Sequence, residues 1–134
     1  MNGYALLAYQ VVAGCCDTAT GALLLMAPAL TLRMMMLRAP DNALVYISFI
    51  GAFVLATGLA YLYGAYLVMR RACPTKMQTL WLLTALTRAS VAVFVLGQLL
   101  AGTLPMGWAT VAAADGTCVV IQAVGLTRGW LASE

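Results

Sequence analysis

Of 134 residues, 64% are hydrophobic and only 8% charged, with a mean hydropathy of +0.97, whereas soluble domains carry about a quarter charged residues. Water is therefore not the main solvent of this chain. Seven basic and four acidic residues leave a formal charge of +3, too sparse and scattered for a nucleic-acid surface. There is no histidine, and Cys15, Cys16, Cys73 and Cys118 show no C-x-x-C spacing. The usual zinc, haem and copper ligand sets are thus missing, and neither a metal nor a cofactor is expected.

A membrane-crossing helix needs about 20 apolar residues, so four spans and short loops consume nearly the whole chain. The expected fold is all-α: a single integral membrane domain, a four-helix bundle of up-down-up-down topology. The first span covers about residues 4–27 and stops at Pro28. Within it, Val12, Ala13, Gly14 and Cys15 resemble a lipoprotein cleavage box. No Lys or Arg precedes them, and a signal peptide carries a basic leader, so the run is read as a span.

Residues 29–39 are apolar apart from Thr31, Arg33 and Arg38 and suit a short helix lying in the membrane interface. Met34, Met35 and Met36 spread around such a helix, which fits contact with lipid or a partner better than soft-metal binding. The second span, about 43–69, follows the turn-forming Pro40, Asp41 and Asn42 and ends at Arg70 and Arg71. A polar turn from Cys73 to Lys76 leads to the third span, about 77–101. A Gly- and Pro-containing segment then precedes the fourth, about 108–126.

Tyr4, Tyr46, Trp81, Trp108 and Trp130 fall near these ends, as expected of aromatic residues at the membrane–water boundary. Tyr61, Tyr63 and Tyr66 crowd the end of span two. Arg70, Arg71, Lys76 and Arg128 put both termini on the cytoplasmic side by the positive-inside rule, while Arg33 and Arg38 count against it. The cysteines are read as reduced and mostly buried.

Ser48, Ala52, Ala56, Ala60 and Gly64 recur every four residues in span two and form a candidate seam for close helix packing. Gly14, Thr18 and Gly21 offer a shorter one in span one. The seams serve packing within the bundle or docking of another protein.

Charge inside hydrocarbon costs at least about 2.5–3.5 kcal/mol on insertion scales, so Asp17, Arg88 and Asp115 must turn inward. At about 1.5 Å per residue, the three lie at comparable depth, and Arg88 is expected to bond Asp17, Asp115 or both. Gln10 shares the face of Asp17, Thr84 lies one turn before Arg88, and Cys118 and Gln122 continue the stripe of Asp115. These residues form a candidate buried polar network. Its role is to fix helix registry or to carry protons or a ligand. Adjacent Cys15 and Cys16 point to different sides of a helix and do not suit a redox disulfide. No P-loop, dinucleotide fingerprint or metalloprotease motif occurs, no lysine lies within a span, and Ser90 has no suitable base nearby.

Residues 21–28 (Gly-Ala-Leu-Leu-Leu-Met-Ala-Pro), the Arg-containing segment up to Arg38, and residues 48–53 (Ser-Phe-Ile-Gly-Ala-Phe) with Gly58 resemble the small four-helix DoxX-like membrane proteins of bacteria. The resemblance covers most of the chain and consists of glycines, one proline and hydropathy. It implies a multi-pass protein of the bacterial inner membrane, and some members of that family are membrane subunits of sulfur-compound:quinone oxidoreductases. The leading expectation is a noncatalytic subunit or scaffold of a larger bacterial membrane complex, with respiratory and photosynthetic complexes as candidates. It would pack against other membrane subunits, lipid, and a quinone or pigment at its surface. The rivals are a small proton-coupled transporter or ion conduit using Asp17, Arg88 and Asp115, and the membrane part of a quinone-linked oxidoreductase.

Overall fold

The protein is described from a computed structural model covering residues 2–131. Among these residues every regular element is helical: α1 (Gly3–Met26), the short α2 (Pro28–Met34), α3 (Leu44–Met69), α4 (Pro74–Leu100) and α5 (Ala109–Thr127). Single 3-10 turns, Asp41–Ala43 and Met106–Trp108, lead into α3 and α5. Four helices are long and apolar enough to cross a membrane, and their bounds lie within about three residues of those expected from the sequence. The largest difference is at α4, which begins at Pro74 instead of Met77. Proline suits the first helical position because its missing N–H has no intrahelical partner there.

The helix ends follow from local chemistry. Pro28 has no N–H to continue the ladder of α1, and the residue before a proline is pushed out of the helical region. Ala27 accordingly sits at φ −144°, and a new helix starts at Pro28. At its far end Met36 adopts φ 59°, Met36 N–H donates to the Arg33 carbonyl and Leu37 N–H to the Leu32 carbonyl. This paired closure is a Schellman motif, and the contact between Leu32 and Leu37, each 3% exposed, completes it. Gly102 (φ 71°) and Gly129 (φ 66°) close α4 and α5 in the same way. Arg71 (φ 47°) follows α3.

Contacts divide the chain into two compact units, Gly3–Arg70 and the residues from Arg71 onward. In the first unit α1 and α3 pack antiparallel, because glycines let the two backbones touch. A Cβ on Gly21 would lie 2.3 Å from the Leu55 nitrogen, one on Gly58 2.4 Å from the Thr18 nitrogen, and one on Gly51 2.7 Å from Leu24 Cβ. Gly14 faces Leu62 in the same register. The expected seam on α3 is therefore displaced. Gly51 and Gly58 carry the contact with α1, whereas Ala52 and Ala56 are exposed, Ser48 and Ala60 are half-buried and only Gly64 of that set is buried. A four-residue spacing drifts around a helix of 3.6 residues per turn, while a seven-residue spacing of glycines stays nearly on one line. The shorter seam on α1 does meet α3, through Gly14, Thr18 and Gly21.

In the second unit α4 and α5 are also antiparallel. Their closest approach is Gly125 against Trp81, where an added Cβ would lie 2.4 Å from Trp81 Cζ3 and 2.9 Å from Trp130 Cε3. Trp81, expected at the membrane boundary, is instead fully buried. The early start of α4 moves it two turns into the helix, and Gly125 supplies the space for its ring. Tyr61 is likewise buried, packed edge-to-face on Tyr9 with 5.8 Å between centroids and 3.4 Å between hydroxyls. Tyr63 and Tyr66 do remain exposed at the end of α3, stacked on each other, with the Arg70 guanidinium 5.5 Å above the Tyr66 ring. Cys15, Cys16 and Cys73 are exposed and Cys118 is half-buried, and all four are free thiols, which corrects the expectation of buried cysteines. On α1 the glycines occupy the contact face, so Cys15 and Cys16, next to Gly14, turn outward.

Candidate functional site

Polar side chains within apolar helices must find partners, since a buried donor or acceptor left alone costs about 1–3 kcal/mol. The α4–α5 pair answers this requirement twice. Arg88, on the inward face of α4, donates from Nη1 to Asp115 Oδ1 on α5, a salt bridge whose side chains are 7% and 14% exposed. Nearer the start of α4, Gln122 Nε2 donates to Thr84 Oγ1 at 2.7 Å, and the Thr84 hydroxyl donates back to the Leu80 carbonyl at 2.9 Å. Both residues are almost fully buried. Thr84 and Arg88 lie one helical turn apart, and Asp115 and Gln122 two turns apart. The two cross-links therefore fall on one stripe of each helix.

The salt bridge puts a planar, delocalised cation against a carboxylate in an apolar span, the pairing that arginine suits best. As a pair it is formally neutral, which removes most of the cost of placing either charge in hydrocarbon. Around Gln122 the balance is less complete. Its Oε1 is buried with no hydrogen-bond partner among the described residues.

Gln10 and Asp17 belong to α1, in the other unit. Gln10 is fully buried, Asp17 is half-buried, and neither is without a partner. Asp17 neighbours one of the two closest approaches of the helix pair, for its carbonyl carbon would lie 2.9 Å from a Cβ on Gly58. Of the expected network, the structure brings together Arg88 with Asp115 and Thr84 with Gln122. Sequence reading placed Trp81 at a membrane boundary and missed it as a core residue. The available signal was its spacing from Thr84 and Arg88, three and seven residues, which puts all three on one face of α4.

Among the described residues no group of three or more Cys, Asp or Glu side chains converges to hold a metal ion. Compared with protein-family models, curated proteins and solved structures, the chain matches none.

Proposed function

We propose that this chain is a noncatalytic integral membrane subunit that holds the helices of partner proteins, together with lipid or a quinone-like molecule, in a larger bacterial membrane complex. The observation that carries this reading is the outer face of α3. The small residues Ala52 and Ala56 are exposed, flanked by exposed Tyr46, Phe49 and Phe53. Small residues let a second backbone approach, and aromatic rings beside them supply contact area. In the proposed topology both termini are cytoplasmic and the membrane is the bacterial inner membrane, in keeping with the resemblance to DoxX-like proteins.

The test is gentle solubilisation from the native membrane followed by native electrophoresis and cross-linking. The chain should migrate with partner subunits, and Ala52→Leu with Ala56→Leu should release it without loss of helix content. Purification of a stable, active, partner-free protein overturns the proposal.

A proton-coupled conduit is the second reading, favoured by the intramembrane carboxylate Asp115 and by the open acceptor on Gln122. Proton flux into liposomes that is abolished by Asp115→Asn supports it. Flux equal to that of empty liposomes rules it out.

A further inference from the structure

The connection from α1 to α3 borders an open cavity of about 590 Å³ whose wall combines Arg33, Arg38 and Asp41 with Leu32, Leu37 and Leu44. Its shape comes from the way α2 ends. The Schellman closure at Met36 folds the chain back so that Leu37 packs beside Leu32, and Arg38 returns to the mouth that Arg33 already lines. Two guanidinium groups thus share one concave site although four residues separate them. Both are exposed, and among the described residues neither makes an ion pair, with Asp41 or with any other carboxylate.

We infer that this cavity binds the headgroup of an anionic phospholipid, with the phosphodiester held between Arg33 and Arg38. Two cations and one carboxylate leave the site with a single net positive charge, which one phosphodiester neutralises. Guanidinium groups match phosphate oxygens with paired hydrogen bonds, so two of them fix its position. Asp41 is placed to accept a hydrogen bond from a headgroup hydroxyl, as a glycerol headgroup offers. The volume lies in the range of small-molecule sites, about 300–1,000 Å³. The occupant is a lipid and not a free anion because the site lies where two spans meet their boundary, between the end of α1 and the start of α3. Leu30, Met34 and Met36 on this same connection are 54%, 67% and 92% exposed, apolar surface suited to acyl chains. This inference does not depend on the subunit reading.

The experiment is native mass spectrometry of the full chain in neutral detergent with phosphatidylglycerol or phosphatidylcholine added. Each basic residue near an anionic lipid is worth about fivefold in affinity, so two predict a preference for phosphatidylglycerol of about 25-fold. One lipid per chain should be retained. Arg33→Gln with Arg38→Gln should remove the preference, whereas Arg70→Gln with Arg71→Gln should keep it. If the Arg33 and Arg38 variant loses helix content, the comparison of the two lipids on the unmodified chain decides. Equal retention of both lipids, an unchanged preference in the folded Arg33 and Arg38 variant, or displacement of phosphatidylglycerol by millimolar inorganic phosphate would each overturn the inference.

Discussion

Alanine at Gly21 or Gly58 tests whether α1 and α3 are held by direct backbone contact. A methyl group at Gly21 would sit 2.3 Å from the Leu55 nitrogen, and one at Gly58 2.4 Å from the Thr18 nitrogen. Since optimal heavy-atom separation is about 3.5–4.0 Å, the helices must part by roughly 1 Å, and a gap of that size forfeits up to about half of each neighbouring contact. The atoms in the way are backbone, which no rotamer change can move, so the cost falls near the top of the usual overpacking range, about 3 kcal/mol. Alanine returns about 1 kcal/mol in helix propensity, leaving a net loss of roughly 2 kcal/mol per site.

Gly97 in α4 and Gly116 in α5 have open space where a Cβ would lie, so the same substitution there should gain up to about 1 kcal/mol. Hydrogen–deuterium exchange in detergent reads each helix pair separately. Exchange in α1 and α3 should accelerate for Gly21→Ala and Gly58→Ala, and slow in α4 for Gly97→Ala and in α5 for Gly116→Ala. If all four variants shift in the same direction, the contact between α1 and α3 does not depend on the missing side chains.

Arg88→Ala leaves the Asp115 carboxylate without its cation in an apolar span and should cost about 3–5 kcal/mol. Arg88→Lys should recover part of this, measured as thermal stability in detergent, and a wild-type melting curve for the alanine variant contradicts the expectation. At Met36 the left-handed backbone strains any L side chain by about 1–2 kcal/mol, and the side chain itself is 92% exposed. Met36→Gly should therefore raise stability by about that amount and slow amide exchange in α2. Cys73 lies in the connection before α4, and its thiol is held below its ordinary pKa of 9.0 by hydrogen bonds from the backbone and hydroxyl of Thr75, with Lys76 assisting. A lowered pKa enlarges the reactive thiolate fraction at every pH below the ordinary value. The alkylation rate of Cys73 should thus rise at lower pH than that of a free cysteine, and Thr75→Val should move the curve back toward alkaline pH. Mass spectrometry of the modified peptide gives both curves, and superimposable curves would be the adverse result.

The helices were legible because their signals are long and redundant. Runs of 20 or more apolar residues survive local noise, and Pro28, Pro40 and Arg70 mark ends by chemistry that needs no tertiary context. The pairing of Arg88 with Asp115 was legible too, because an unpaired charge has few places to go in hydrocarbon. Facing was harder. Ala52, Ala56 and Gly51, Gly58 are all small, and which stripe meets α1 depends on the partner residues Gly21 and Thr18 opposite. Trp81 fits both a boundary and a core, and only Gly125 across the pair decides between them. Nor does the sequence announce the cavity beside α2, since it depends on a methionine in a conformation that usually calls for glycine.

The bond between Arg88 and Asp115 lies within a single helical hairpin. A hairpin that neutralises its own charges is ready to partition into lipid as soon as its two arms have been synthesised.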